Sequence, residues 1–216
     1  MGQLTADDDA DAKIIPMTST PRWFTEMEEG HSEQYAEHFR ELVTEGVNIE
    51  GEARFIDALI PPGSRVLDAG CGQGRLTQSL QRRGHHTIGV DLDDVLLDAA
   101  RVDHPGPIYL RADLTTLDLA ALGHGEPLDA VVLAGNVITF VAPEAEVATL
   151  RALRRHLRPG GVCVAGFQPE RYGITTFDAD ALAAGFIIEQ RFATWDLRPW
   201  DDEAEFAVTV LRNPDE

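Results

Sequence analysis

A glycine-rich segment at residues 66–77 carries the first chemical signal of the chain. Its sequence, VLDAGCGQGRLT, follows an apolar run and precedes a helical pattern. Glycines allow a sharp turn, and they let a ligand approach the backbone without meeting a Cβ atom. Loops that hold a pyrophosphate use the spacing G-x-G-x-x-G, whereas this loop has G-x-G-x-G. Asp68, two residues before the first glycine, would repel a pyrophosphate and suits a ligand that carries an amino group.

Two further aspartates each stand at the end of a predicted strand. Asp91 lies 17 residues after Gly74, where a carboxylate can accept hydrogen bonds from both hydroxyls of a ribose. A strand-end aspartate can equally cap the following helix, so both roles stay open for Asp91 taken alone. Asp113 can accept a hydrogen bond from the exocyclic amine of an adenine, with Leu92 or Leu114 against the ring. A capped turn is the alternative for Asp113.

Alternating apolar runs and helical patterns predict the elements that position these residues. Short apolar strands separated by helices indicate a parallel sheet covered on both faces. The predicted parallel strands are Arg65–Ala69, Thr87–Val90, Ile108–Leu110, Leu128–Ala134 and Val162–Phe167. The predicted helices between and after them are Gly74–Arg83, Asp94–Ala100, Glu144–Leu157 and a helix around Asp178–Ala184. Pro159, Gly160 and Gly161 are expected to end the helix before them and to reverse the chain in a tight turn.

The two ends of the chain differ from this alternating middle. Phe186–Thr194 and Phe206–Leu211 are strand-like runs with no helix between them, which predicts an antiparallel hairpin. The predicted fold class is therefore α/β: a doubly wound, seven-stranded sheet of five parallel strands and a C-terminal antiparallel hairpin. We expect a disordered acidic tail at residues 1–20, a helical cap over the active site at 21–62, and one ligand-binding domain at 63–213.

Composition and charge limit the partners that this chain can have. Its 216 residues carry a formal net charge of −19, and such an excess of carboxylates repels nucleic acid and anionic membrane. No apolar run approaches the ~18 residues that cross a bilayer, and the N-terminus does not resemble a secretory signal. We therefore expect a cytoplasmic monomer or homodimer. Cys71 and Cys163, without a histidine cluster, predict no metal site.

Five segments in a fixed order resemble the class I S-adenosylmethionine-dependent methyltransferases. They are VLDAGCGQG, IGVDLD, RADL, DAVVLAG and LRPGG, and they occur at distances typical of the family between about Gly63 and Leu211. The resemblance implies a Rossmann-like fold and S-adenosyl-L-methionine as the cofactor. It implies that the methionine and ribose parts of the cofactor are surrounded by Asp68, Gly70, Cys71, Gly72 and Gly74.

The same resemblance assigns the remaining cofactor contacts and leaves the methyl acceptor open. It implies that Asp91 holds the ribose hydroxyls, that Leu92 contacts adenine, and that Asp113 binds the adenine amine. Ala112 and Leu114 would lie beside Asp113. The implied activity is in-line methyl transfer to nitrogen or oxygen of an unidentified small molecule. The Asn-Pro-Pro-Tyr signature of the branches that methylate DNA and protein amines is absent from the fourth strand.

The segment after that strand supplies the candidates for the transfer centre. Its sequence, AGNVITF, is similar to one in glycine N-methyltransferases and related small-molecule enzymes. Asn136 is expected to contact the cofactor and the transfer centre, and His31 and Tyr35 are further candidates from the cap. No residue is assigned as a general base. Two alternatives remain at this point: a non-catalytic protein that binds the cofactor, and an NAD-dependent oxidoreductase, which the glycine spacing and Asp68 argue against.

Overall fold

The computed structural model describes residues 20–215 and contains one mixed seven-stranded sheet. Its strands are β1 (Arg65–Ala69), β2 (His86–Asp91), β3 (Ile108–Arg111), β4 (Leu128–Leu133), β5 (Leu157–Phe167), β6 (Ile187–Phe192) and β7 (Ala207–Arg212). The order across the sheet is β3-β2-β1-β4-β5-β7-β6. The first five strands are parallel, and β7 runs antiparallel to both β5 and β6. The predicted fold class is confirmed.

Eight helices accompany the sheet within the described residues. They are α1 (Arg22–Glu26), α2 (His31–Thr44), α3 (Gly51–Leu59), α4 (Arg75–Arg82), α5 (Asp94–Asp103), α6 (Val137–Phe140), α7 (Glu146–Arg154) and α8 (Ile174–Ala183). The predicted acidic tail at 1–20 lies, apart from Thr20, outside the described residues.

The core lies on both faces of the central strands. Along β4, Ala130 and Val132 pack in one apolar cluster, whereas Val131 and Leu133 pack in the other. Because successive side chains of a strand point to opposite faces, a strand that is covered on both sides reads as a continuous apolar run. This is why β1, β4 and β5 were recognisable as parallel strands from their composition.

The segment between α7 and the middle of β5 departs from the predicted helix and tight turn. The helix ends at Arg154, and β5 already begins at Leu157. Leu157 and Val162 are five residues apart, yet they pair with positions two residues apart on β4, so β5 carries a bulge. Asn213 Nδ2 donates to the carbonyl of Leu157, and the N–H of Gly160 donates to the carbonyl of Asn213. The predicted helix end and chain reversal are wrong, because Asn213 satisfies the backbone of the bulge and lets the strand continue.

The three N-terminal helices take two different positions. Helices α1 and α2, which we call the cap, lie at the carboxyl ends of the parallel strands, where α1 contacts α6 and α2 contacts α5. Helix α3 instead covers one face of the sheet and packs against α4. Its Phe55 and Ile56 belong to the same apolar cluster as Val66 and Leu80. The cap is therefore the part of the N-terminal region that can contribute to a ligand site.

Candidate active site

A cavity of about 420 Å³ opens at the carboxyl ends of the parallel strands, beneath the cap. Its volume lies within the range of small-molecule sites. Eight residues predicted to bind the cofactor line it together: Gly70, Gly72, Asp91, Leu92, Ala112, Asp113, Leu114 and Asn136. The cap candidates His31 and Tyr35 line the same cavity. Residues that are up to 105 positions apart in the sequence, from His31 to Asn136, are thus brought to one site.

The glycine loop that follows β1 forms the floor of this cavity. Gly70 has a φ of 77°, in the left-handed region that favours glycine. A Cβ atom on Gly70 would lie 2.5 Å from Cγ1 of Val137 in α6. The N–H groups of Gly70 and Cys71 donate to the carbonyl of Val90, at 2.8 and 3.0 Å. The loop is therefore held by β2 below a helix that leaves no space for a side chain at Gly70.

Asp91 connects the loops that follow β1 and β2. One carboxylate oxygen accepts from the N–H groups of Leu92 and Asp93, at 2.7 and 3.0 Å, and the other accepts from Gly72 at 2.8 Å. Burial raises the pKa of Asp91, and these backbone donors act against that rise. The alternative role as helix cap belongs to Asp93, whose Oδ1 accepts from Val95 and Leu96 at the start of α5. Asp91 itself faces the cavity.

Asp113 follows β3, where it caps a turn and also lines the cavity. Its Oδ1 accepts from the N–H of Thr115 at 2.8 Å, which is a capped turn. Asp113 also lines the cavity, together with the apolar side chains of Leu92 and Leu114. The carboxylate and the two apolar groups can therefore meet the edge and the faces of one flat ring.

Three predicted contact residues, Asp68, Cys71 and Gly74, do not reach the cavity surface. Asp68 is 2% exposed and accepts from Thr77 Oγ1 at 2.6 Å, and burial raises its pKa to about 6. Cys71 is buried, which raises the pKa of its thiol. Gly74 begins α4, and a Cβ atom there would lie 2.6 Å from the hydroxyl of Tyr109. These residues lie beneath or behind the loop.

The cap is tied to the loop after β2 through Asp93. The indole Nε1 of Trp23 donates to Asp93 Oδ2 at 2.8 Å, and the hydroxyl of Ser32 donates to the same oxygen. The indole ring also meets Phe140 of α6 edge-on, with ring centroids 5.3 Å apart. Sequence reasoning missed Asp93, although an aspartate just before a helical pattern is a recognised cap signal. Trp23 and Phe140 carry no local signal of this kind.

Tyr35 of the cap contacts the glycine loop, and its chemistry is that of a donor. A Cβ atom on Gly72 would lie 3.6 Å from Cε1 of Tyr35. Burial raises the pKa of Tyr35, although Arg75 acts in the opposite direction. The phenol therefore stays protonated at neutral pH and can donate a hydrogen bond, but it is unsuited to accept a proton. His31 begins α2 and meets Trp23 at a centroid distance of 5.0 Å.

Asn136 joins the end of β4 to the segment after β5. It has a φ of 69°, a left-handed conformation that asparagine tolerates better than most residues. Its N–H donates to the carbonyl of Gly166 at 2.9 Å, and its Oδ1 accepts from the N–H of Gln168 at 2.8 Å. Asn136 thus closes a turn and lines the cavity at the same time.

Residues 20–215 contain neither a membrane-spanning helix nor a cluster of metal ligands. No helix in this range is long and apolar enough to cross a membrane. In the same part of the chain, no group of three or more His, Cys, Asp or Glu side chains is arranged to hold a metal ion.

Comparison with known proteins identifies the family. The model of a methyltransferase domain matches residues 66–161. The chain is 37% identical to a TehB-like SAM-dependent methyltransferase from Corynebacterium glutamicum, whose solved structure matches with a TM-score of 0.80 over 88% of this chain and 100% of that chain. The fold is the Rossmann-like fold of methyltransferases. The chain belongs to the class I S-adenosylmethionine-dependent methyltransferases, whose cofactor is S-adenosylmethionine.

Curated relatives match over shorter stretches and differ in what they act on. A ubiquinone biosynthesis O-methyltransferase from Hahella chejuensis is 37% identical over 101 residues, which cover 46% of this chain and 41% of that protein. A ribosomal protein L11 methyltransferase from Symbiobacterium thermophilum is 33% identical over 111 residues, which cover 50% and 33%. The matches thus span less than half the length of these two relatives, and their names point to different acceptors.

The residues of the cavity fit the family's cofactor. Carboxylates at the ends of β2 and β3 can accept from ribose hydroxyls and from an adenine amine. Gly70 and Gly72 line the cavity without side chains, so a ligand can approach their backbone closely. Leu92 and Leu114, which follow the two carboxylates in the sequence, line the same cavity and can contact a purine.

Proposed function

We propose that this chain transfers a methyl group from S-adenosylmethionine to a nitrogen or oxygen atom of a small molecule. The observation that carries the proposal is the convergence of Gly70, Asp91 and Asp113 in one cavity that the cap covers. Support comes from relatives named as methyltransferases, among them the O-methyltransferase of ubiquinone biosynthesis. A net charge of −19 disfavours nucleic acid as the acceptor.

The strand ends are proposed to hold the nucleoside. Asp91 accepts hydrogen bonds from the ribose hydroxyls, while its backbone donors keep the carboxylate oriented. Asp113 accepts from the exocyclic amine of adenine, with Ala112 beside it. Leu92 and Leu114 contact the ring faces. Each role uses a residue that lines the cavity.

The glycine loop is proposed to hold the methionine part of the cofactor. Gly70 and Gly72 offer their backbone to the ligand, and Tyr35 can donate a hydrogen bond to its carboxylate. Asp68, Cys71 and Gly74 are proposed to act from beneath, by holding the loop in shape. Asp68 also brings negative charge below the loop, which favours an amino group above it. Its hydrogen bond with Thr77 fixes the position of that charge.

The cap and Asn136 are proposed to align the acceptor. When bound, the cofactor supplies an electrophilic methyl group on a sulfonium. Holding the acceptor in line with that group and excluding water can contribute ~7–11 kcal/mol in well-oriented systems. Asn136 positions the acceptor at the transfer centre. A neutral amine attacks directly, whereas a hydroxyl must lose its proton, for which His31 is the candidate acceptor.

Binding and turnover experiments test this proposal separately. Calorimetric titration with S-adenosylhomocysteine should show one site, and NADH should not compete. Tight binding of NADH alone would favour the oxidoreductase alternative. Release of S-adenosylhomocysteine should then be followed with a panel of amines, phenols and carboxylic acids. A protein that binds the cofactor but methylates no acceptor in the panel would favour a non-catalytic role.

A further inference from the structure

The cavity has a second wall that the cofactor contacts do not use. It consists of Trp23, Phe24 and Met27 from α1 and its end, Phe140 and Val141 at the end of α6, and Arg171 between β5 and α8. These residues come from three separate segments, and none of them is among the residues proposed to hold the cofactor. Because the strand ends are proposed to hold the cofactor, the second wall is where the methyl acceptor must lie. The inference that follows rests on the proposed function.

The second wall is mostly flat and apolar. Trp23 meets Phe140 edge-on at a centroid distance of 5.3 Å and meets Tyr35 edge-on at 5.8 Å. Aromatic side chains held edge-to-face are fixed relative to one another, and Trp23, Tyr35 and Phe140 all line the cavity. Met27 and Phe24 extend the same surface. Such a wall favours a ligand with a flat apolar body over a fully hydrated one.

One cation interrupts this apolar surface. Arg171 is the single arginine among the described residues that line the cavity. Its guanidinium carbon lies 4.6 Å from the ring centroid of Phe140, which orients the group. A planar guanidinium with several N–H donors matches the two oxygens of a carboxylate. The cation is therefore placed at the edge of the flat wall, where an anionic end of a ligand can reach it.

Arg171 can pair with a ligand, because the carboxylate near it holds it only weakly. The nearby Arg22 and Arg75 are held by closer carboxylates. The carboxylate closest to Arg171 is Glu26, at 3.7 Å, and both side chains are solvent-exposed, at 36% and 47%. Exposed pairs of this kind contribute little and are readily exchanged. Arg22, by contrast, is held at 2.8 Å by Glu146 and also donates to a backbone carbonyl. Arg75 is held in two contacts by Glu52.

We propose that the methyl acceptor is a small organic anion with a flat apolar body, whose carboxylate pairs with Arg171 and whose body lies against Trp23 and Phe140. In a protein of net charge −19, a local cation favours the binding of an anion at this place. The acceptor's nucleophilic nitrogen or oxygen lies at the other end of its body. It donates a lone pair to the methyl carbon while the carbon–sulfur bond breaks. The bond's electron pair stays on sulfur in S-adenosylhomocysteine, and the acceptor's proton passes to His31 or to water.

The test uses three probes that share a phenol ring and carry para groups of different charge: 4-hydroxybenzoate, 4-hydroxybenzamide and 4-hydroxybenzylamine. Their binding to the full chain, saturated with S-adenosylhomocysteine, is measured by calorimetry or ligand-observed NMR. The benzoate should bind roughly tenfold or more tightly than the amide, and the amine should bind most weakly. Equal affinities, a preference for the amine, or no benzoate binding at millimolar concentration would overturn the proposal.

Variants then assign the preference to Arg171. Arg171→Gln should reduce benzoate binding to the level of the amide, and Arg171→Lys should retain part of the preference because it keeps the charge without the planar donors. Arg155→Gln removes the same charge from an exposed position away from the cavity and should leave the preference intact. A similar loss in Arg155→Gln would attribute the effect to overall charge and refute the contact.

Titration of the same variants with S-adenosylhomocysteine separates this inference from the proposed function. Arg171→Gln should bind S-adenosylhomocysteine as the unaltered protein does. If its affinity falls with that of the benzoate, Arg171 contacts the cofactor and the acceptor assignment is wrong. If the unaltered protein does not bind S-adenosylhomocysteine at all, the proposed function itself fails.

Discussion

The two walls of the cavity are built in different ways. The strand ends, called the cofactor wall because they are proposed to hold the cofactor, carry backbone groups, a glycine floor and two carboxylates that are fixed by the register of a parallel sheet. The second wall, called the acceptor wall because the methyl acceptor is proposed to lie there, consists of side chains from α1, α6 and the segment after β5, which meet through ring, cation–π and ion-pair contacts. Ligand contacts at the first wall depend on main-chain geometry, whereas those at the second wall depend on the identity of its side chains.

This difference explains how one fold can serve many acceptors. A substitution in the cofactor wall shifts the backbone of the sheet, and therefore alters every ligand contact there. A change in the acceptor wall replaces one contact and leaves the sheet intact. Loops and terminal elements on a rigid scaffold are the usual places where binding sites vary. The relatives agree with this view, since their names combine one kind of transfer with different acceptors.

The largest effect is expected at the floor of the cofactor wall. In Gly70→Ala, the new methyl group would lie 2.5 Å from Val137 and the backbone would keep a strained φ of 77°. We expect affinity for S-adenosylhomocysteine to fall by roughly a hundredfold or more, about 3 kcal/mol. Gly63→Ala is the matched control, because Gly63 has the same φ and no atom within 4 Å of its added Cβ. Equal losses of affinity in the two variants would show that the strained φ, and not the contact with Val137, causes the loss.

The next effect is expected at Asp91, which serves both the ligand and the loop. Asp91→Ala removes charge-assisted hydrogen bonds to the ribose and also releases the N–H of Gly72. We expect cofactor affinity, measured by calorimetry, to weaken by on the order of 1–3 kcal/mol. Asp94→Ala removes a nearby exposed carboxylate that pairs with Arg111, and it should leave the affinity unchanged. Unchanged affinity in Asp91→Ala would refute the ribose assignment.

Asp68 gives a pH-dependent effect of intermediate size. Aspartate titrates near 3.9 in an unfolded chain, whereas burial raises the pKa of Asp68 to about 6. The folded protein therefore binds more protons than the unfolded chain between about pH 4 and 6, and the contribution of Asp68 to stability falls as the pH rises through that window. Asp68→Asn should abolish this contribution while its Oδ1 can still accept from Thr77.

Urea unfolding at a series of pH values measures the Asp68 effect. Relative to Asp68→Asn, the unaltered protein should lose on the order of 1–2 kcal/mol of stability between about pH 4 and 6.5. Parallel curves for the two proteins would show that the buried carboxylate does not titrate in this range. Asp129→Asn provides a contrast. Burial acts to raise the pKa of Asp129, but its hydrogen bond with Arg158 lowers it overall, so the contribution of Asp129 to stability should be lost only as the pH falls below about 4.

The smallest effect is expected in the acceptor wall. Trp23→Phe keeps an aromatic ring against Phe140 and removes the hydrogen bond to Asp93. One such bond contributes about 0.5–1.5 kcal/mol, so amide hydrogen exchange in α1 should accelerate by up to roughly tenfold. Affinity for S-adenosylhomocysteine should change much less. Thr25→Ser, on the exposed side of α1, keeps the hydroxyl that donates to the carbonyl of Arg22 and is the control for exchange. A large loss of cofactor affinity in Trp23→Phe would show that the two walls are not separable.

The sequence was sufficient to predict that Asp91 and Asp113 meet at one site, because their convergence follows from the sheet. Parallel strands end at one edge, so aspartates that follow successive strands must converge there, as Asp91 and Asp113 do. The burial of each loop residue could not be predicted, because spacing alone does not say which side of the loop Asp68 faces. The bulge in β5 was also unpredictable, since it depends on Asn213, more than 50 residues away from it.

The acceptor wall could not be read from the sequence for a related reason. Trp23, Phe140 and Arg171 carry chemistry only because folding brings them into contact. No periodicity or motif links a residue at 23 to one at 171. Such contacts depend on the packing of a short helix against another short helix, and neither has a sequence pattern strong enough to fix its position.

The location of Trp23 gives the protein an internal optical probe. Of its three tryptophans, Trp23 lines the cavity, whereas Trp195 and Trp200 lie in the connection of the C-terminal hairpin. Indole emission responds to the polarity and charge around the ring, and Trp23 stands beside a carboxylate that accepts from its Nε1. Replacing Trp195 and Trp200 with phenylalanine would leave a single tryptophan, located at the ligand site. Ligand binding could then be followed through tryptophan emission in real time without any label.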